Sequence, residues 1–175
     1  YDVYPLQDGS RDYTVVVYQQ VQGNSYSQVL SRTVRAEMSD ENAPFLSPNR
    51  YSWYTQDSAV VQLGAEICAG LTSDQEKVQA VYNYITSNMI YDYMAAMMVA
   101  AGQQTGYVPD LDEVLETKMG ICFDFAAMMC ALLRSQGIPT QMVMGYADIT
   151  YHAWNNIYID GEWVRYDATS AETHT

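Results

Sequence analysis

Hydrophobic and polar positions change period twice along this chain. The first third alternates. "DYTVVVYQQV" (12–21) and "YSQVLSRTVRAEM" (26–38) are β-branched runs on either side of "QGNS", which carries a turn glycine, so a β-hairpin is predicted there. "SDENAPFLSPNRYSWY" follows with two prolines and reads as a loop. The period then becomes helical. "DSAVVQLGAEICAGL" has Asp57 as its candidate cap and Gly70 as its stop. In "TSDQEKVQAVYNYITSNM", Ser73 and Glu76 stand at capping-box spacing, and Val78, Val81, Ile85 and Met89 recur at threes and fours.

"YMAAMMVAAGQQTGYVPD" reads as a short apolar helix and a loop, either a satellite of the core or a Met-rich lid beside a cleft. "DLDEVLETK" is a short helix capped by Asp110. "KMGICFDFAAMMCALLRSQGIP" (118–139) reads as an amphipathic helix that Gly137 and Pro139 end. The last stretch alternates again: "TQMVMGYA", "YHAWNNIYI" and "EWVRYDAT" read as strands, the last two flanking Asp160-Gly161, a strong hairpin turn signal. The order of hairpin, helices and meander predicts an α+β fold. Residues 1–56 form a β-rich extension and 57–175 the core, together one compact domain.

Composition narrows the function. At 175 residues with 49% hydrophobic content, the chain can bury a real core and is not disordered. No apolar run approaches the ~20 residues of a membrane span. The net charge of −13 repels nucleic acid and acidic lipid, and favours neutral or cationic partners. Lysine is confined to Lys77 and Lys118, while Tyr, Gln, Asn and Ser abound. With an opening at Tyr1 and no visible signal peptide, this composition suggests a secreted or cell-surface bacterial protein. Three cysteines leave at least one thiol free. Cys68 and Cys130 read as buried thiols, with a bridge between them left open.

Cys122 is unusual because it opens its helix instead of sitting in the body. The first turn has unpaired N–H groups and the positive end of the macrodipole, so the thiol pKa is expected to fall. Gly120 permits a tight turn and close substrate approach to the backbone. The backbone N–H of Cys122 points where an oxyanion would form. Of the two histidines, His174 is penultimate, where chains order poorly. His152 lies in the last hairpin. With Asp160-Gly161 as a two-residue turn, facing positions sum to 321. His152, Trp154, Asp167 and Thr169 then share a face, with His152 and Asp167 as diagonal neighbours. A carboxylate so placed holds an imidazole in one tautomer. Trp154 is expected to shield the pair from water. Neither CxxC nor HxxxH occurs, so no zinc site is expected. Phosphate loops and basic stripes are absent as well, so no cofactor is implied.

"GICFDFAAMMCALLRSQGIPTQMVMGY", "YHAWNNIYIDGEWVRYDAT" and their spacing resemble the transglutaminase-like cysteine enzymes, over about Leu71 to Thr169. The resemblance implies a papain-like core. It puts Cys122 on the nucleophile, His152 on the base and Asp167 on the orienting carboxylate. Asp124 falls on a frequent acid two residues later, which organises the helix start. Tyr91, in "NMIYDY", matches a tyrosine block and is either a core tyrosine or a second oxyanion donor. Phe123 stands where animal transglutaminases usually carry Trp, and Ala168 where proline is common, which points away from protein cross-linking. The implied activity is acyl transfer through a thioester on peptide or carboxamide bonds. Its first form is hydrolysis by a peptidase or amidase on protein or peptide substrates, cell-wall peptide included. Transamidation, and a non-catalytic surface binding module on the same fold, are the alternatives.

Overall fold

The computed structural model describes residues 3–169, so His174 lies outside the described residues. The chain divides into two compact units, Pro5–Pro44 and the remainder with Tyr1–Tyr4. The smaller unit is the predicted hairpin. β1 (Arg11–Gln22) pairs antiparallel with β2 (Ser25–Ala36), with register shifts at Val17/Tyr18 and Gln20/Gln22. Gly23 takes the turn at a φ of 52°, a conformation glycine adopts without a Cβ penalty.

The larger unit contains α1 (Ala59–Ile67), α2 (Asp74–Asn88), β3 (Ile90–Tyr91), α3 (Tyr93–Ala100), α4 (Leu111–Thr117), β4 (Met119–Gly120) and α5 (Cys122–Arg134), then β5 (Thr140–Ala147), β6 (Thr150–Ile159) and β7 (Glu162–Tyr166). The predicted caps hold at α2 and α4. Ser73 and Glu76 close a reciprocal box, and Asp110 accepts the N–H groups of Asp112 and Glu113. α1 begins one residue later than expected. Ser58, not Asp57, is its cap, because the extended Ser58 backbone turns its carbonyl to the N–H of Val61 at 3.0 Å.

α5, predicted as an amphipathic helix, has no solvent face along most of its length. Every residue from Asp124 to Arg134 is buried, the environment of a helix that packs on all sides. α1, α2, α4, β5 and β6 all contact it. Its two charged residues turn inward with partners. Arg134 donates from Nε to the Thr140 carbonyl (2.9 Å) and from a terminal nitrogen to that of Ser47 (3.0 Å). The three strands form an antiparallel sheet in the order β5-β6-β7. Asp160 and Gly161 take φ of 52° and 91°, as a type I′ turn requires. Ile159 pairs with Glu162 and Asn155 with Tyr166, the register read from the turn. Along β6, Ala153, Asn155, Ile157 and Ile159 are buried. Asn155 ties the sheet to α5 by donating to the Ala126 carbonyl (3.0 Å) and the Cys130 sulfur (3.3 Å).

Asp124 holds the start of α5. Its Oδ2 accepts the Ile121 N–H at 2.7 Å and the Tyr107 hydroxyl at 2.7 Å. Its Oδ1 is buried without a hydrogen-bond partner among the described residues. Burial pushes this carboxyl up, against the donors on Oδ2. Gly120 makes room for it, since a Cβ there would lie 2.6 Å from the Asp124 Cβ. Gly120 is itself buried, and its missing side chain serves the helix start. Gly120→Ala is therefore expected to destabilise the fold by about 1–3 kcal/mol, the usual cost of overpacking. Urea unfolding should show this as a lower midpoint at unchanged slope.

Candidate active site

Cys122 is the first residue of α5, after Ile121 in extended conformation. It is half-buried, whereas Cys68 and Cys130 are buried, and all three thiols are free. The backbone N–H groups of Ala153 and Phe123 and the Tyr91 hydroxyl are the polar neighbours that act on the Cys122 sulfur. The Ala153 contact is informative, because it brings β6 over the helix tip at the residue following His152.

These donors do not lower the thiol pKa below its ordinary value. Burial pushes it up, and the neighbouring Asp124 carboxylate adds to the rise. The helix-end field expected to produce a thiolate is outweighed by desolvation, which disfavours the charged form. Desolvation thus favours the thiol over the thiolate.

His152 and Asp167 meet across the hairpin. Nε2 lies 2.9 Å from Asp167 Oδ2, with 17% and 11% of the two side chains exposed. Asp167 is held in turn from its other oxygen, Oδ1. The Thr169 hydroxyl donates to it at 2.8 Å and the Thr169 N–H at 3.2 Å. The same hydroxyl lies 3.3 Å from His152 Nε2. Trp154 stacks beside His152, with ring centroids 6.2 Å apart and planes at 25°. The Arg165 guanidinium lies 4.5 Å over the Trp154 ring and 3.8 Å from Asp167 Oδ2. A Cβ on Gly145 would come within 3.3 Å of that indole.

Tyr91 arrives by a route that the sequence does not announce. β3 and β4 form a two-residue parallel pair, Ile90 with Met119 and Tyr91 with Gly120. Its hydrogen bonds run from the Ile90 N–H to the Lys118 carbonyl and from the Asp92 N–H to the Gly120 carbonyl, both at 2.8 Å. The pair sets Tyr91 against the first turn of α5. The Tyr91 hydroxyl lies beside Cys122, and burial pushes the phenol up to about 12.

Cys122, His152 and Tyr91 line one cavity of about 710 Å³, together with α3 and the start of β6. Thr169 also lines it. Sequence reasoning put Thr169 on the right face without giving it a role, and missed Arg165 and Tyr107. The register that placed Asp167 would have found Thr169. Nothing local marks the other two.

The profile of the transglutaminase-like superfamily matches residues 61–168. The YebA protein of Bacillus subtilis is 31% identical over 127 residues, 59% of this chain and 17% of that protein. Human kyphoscoliosis peptidase is 25% identical over 130 residues, 67% of this chain and 19% of that protein. The chain thus spans less than a fifth of these relatives. Among solved structures, a Cytophaga hutchinsonii protein put forward as a cysteine protease superposes at a TM-score of 0.60 with 21% identity, covering 97% of this chain and 70% of its own. The periplasmic domain of TgpA from Pseudomonas aeruginosa superposes at 0.56 with 18% identity, covering 85% and 56%. With the family profile covering more than half of its length, the chain belongs to the transglutaminase-like superfamily.

Proposed function

We propose that this protein is a cysteine-dependent acyl-transfer enzyme that hydrolyses peptide or carboxamide bonds through a thioester on Cys122. One observation carries the reading: the half-buried thiol at the tip of α5 and the carboxylate-held imidazole of His152 line the same cavity. A binding module has no chemical use for that set.

The steps follow from the protonation states. With Nε2 engaged by Asp167, Nδ1 of His152 is the nitrogen left to take the Cys122 proton. The sulfur attacks the carbonyl carbon, and the negative charge moves to its oxygen. The Cys122 N–H and the Tyr91 hydroxyl, which stays protonated throughout the neutral range, are the donors to that oxygen. The C–N bond breaks as His152 returns its proton to the leaving amine. Water, deprotonated by His152, then attacks the thioester. The S–C bond breaks, the acid leaves, and the proton returns to the sulfur. Asp167 orients the ring and stabilises its cationic form. Trp154 covers one face of the imidazole.

A site outside the cytoplasm belongs to the same proposal. It is supported by the composition and by the periplasmic setting of the TgpA domain. Among the described residues, no helix is long and apolar enough to cross a membrane.

Activity on a peptide library, with Cys122→Ala as the control, tests the reading. A fluorescent primary amine offered with a glutamine peptide separates the outcomes. Cleaved peptide or released ammonia without incorporation is expected, and incorporation would make the enzyme a transamidase. Asp167→Asn should lower kcat by about 10²–10⁴-fold, read in steady-state assays. Tyr91→Phe should lower kcat by about 10²-fold with KM little changed, as loss of one oxyanion donor does. The sign of the Cys122 shift predicts a pH profile. A raised pKa keeps the thiol protonated below it, so alkylation of Cys122 by iodoacetamide should accelerate steadily as pH rises from 6 to about 8. A flat profile would show a standing thiolate–imidazolium pair instead.

A further inference from the structure

The cavity over Cys122 is larger and more apolar than thioester chemistry on one carbonyl requires. It holds about 710 Å³, within the range of small-molecule pockets. One wall is the face of α3 that carries Met97, Val99 and Ala100. The other includes Met144 and Tyr151. Among the described residues, no Asp, Glu, Lys or Arg lines it, in a chain of net charge −13. α3 consists of "YMAAMMVA" and buries none of its residues in the core. Met97 is 65% exposed and Tyr151 61%. A helix of that composition leaves apolar surface in water, and a ligand that covers it recovers the hydrophobic free energy.

We propose that this cavity is the donor-side specificity pocket, and that it selects neutral peptides with a large aliphatic or aromatic side chain on the residue whose carbonyl Cys122 attacks. The inference rests on the acyl-transfer reading above and names its substrate class. The glutamine side chain is disfavoured where it meets the Met97, Val99 and Ala100 wall of α3, whose side chains offer its amide no hydrogen-bond partner, whereas Thr150 and Tyr151 stand on the other side of the cavity. A charged side chain is excluded more strongly for the same reason. The occupant is a peptide and not a hydrocarbon chain. Hydroxyl-bearing Thr150, Tyr151 and Thr169 interrupt the apolar lining, and they offer partners to main-chain amide groups, which a lipid tail lacks. The −13 net charge acts in the same direction at long range, by repelling acidic donors before they reach the cavity.

The test uses peptidyl chloromethyl ketones that differ only in the residue next to the ketone, Leu, Gln, Glu or Lys, beside a myristoyl chloromethyl ketone without peptide. Modification of Cys122 is followed by intact-mass and peptide mass spectrometry. The Leu probe is expected to react about tenfold or more faster than the Gln probe, and faster than the charged and myristoyl probes. Met97→Glu should reduce the Leu-to-Gln ratio by about tenfold, because it puts a carboxylate in the pocket wall. Met94→Glu, on the same exposed helix but outside the lining, should leave the ratio unchanged. Equal Leu and Gln rates, a faster charged or myristoyl probe, or the same ratio in Met97→Glu as in the parent would overturn the pocket assignment and leave the acyl-transfer reading standing. Slow and equal modification of Cys68, Cys122 and Cys130 by every ketone would overturn both.

Discussion

A buried carboxylate under the first turn of α5 is the constraint on which the site depends. Asp124 takes the Ile121 N–H and the Tyr107 hydroxyl on one oxygen. It leaves the other without a partner among the described residues, an arrangement that costs about 1–3 kcal/mol. Gly120 leaves just enough space for it. The cost is accepted where position matters most. The helix tip cannot fray or shift without stripping the remaining oxygen of its donors, and the tip is where Cys122 stands. The rest of the helix is buried against three helices and two strands, so the thiol is set at the end of a rigid rod.

Around that rod the two halves of the proposed acid–base pair sit in different media. The sulfur lies in a mostly apolar cavity, and burial raises its pKa. The imidazole is wired into a polar chain. Thr169 holds Asp167, Asp167 holds His152, and Arg165 bridges Asp167 and Trp154. This contrast suits a proton that must travel one way on attack and back on release. A sulfur already ionised at rest would need no base to arm it, while an imidazole without its carboxylate would lack the means to keep the charge. Desolvation at the sulfur and polarity at the ring are consequences of the same packing of β6 over the tip of α5.

Local signals made much of this legible in the chain. The Ser73 and Asp110 caps, the Gly137 stop and the Asp160-Gly161 turn each act over a few residues, and each reappears in the structure. The turn mattered most. A two-residue type I′ loop leaves one register, and alternation from that register puts His152 and Asp167 on one face. The same alternation gives Thr169 its place but not its bond to Asp167. The amphipathic reading of α5 fell short: Asp124 and Arg134 are interior, as their partners at Ile121, Tyr107, Thr140 and Ser47 show.

The sequence by itself determined the order of elements, the hairpin register and the position of Cys122 at a helix start, because propensity, capping and strand alternation are short-range. Tertiary structure alone decided what surrounds the sulfur. The β3–β4 contact is a two-residue parallel pair between segments nearly thirty positions apart, too short to leave a periodic mark, yet it delivers both Tyr91 and α3 to the cavity. The direction of the Cys122 shift was decided there too. The helix-end field is a property of the local chain, but desolvation depends on what folds over it, and at this site desolvation is the larger effect.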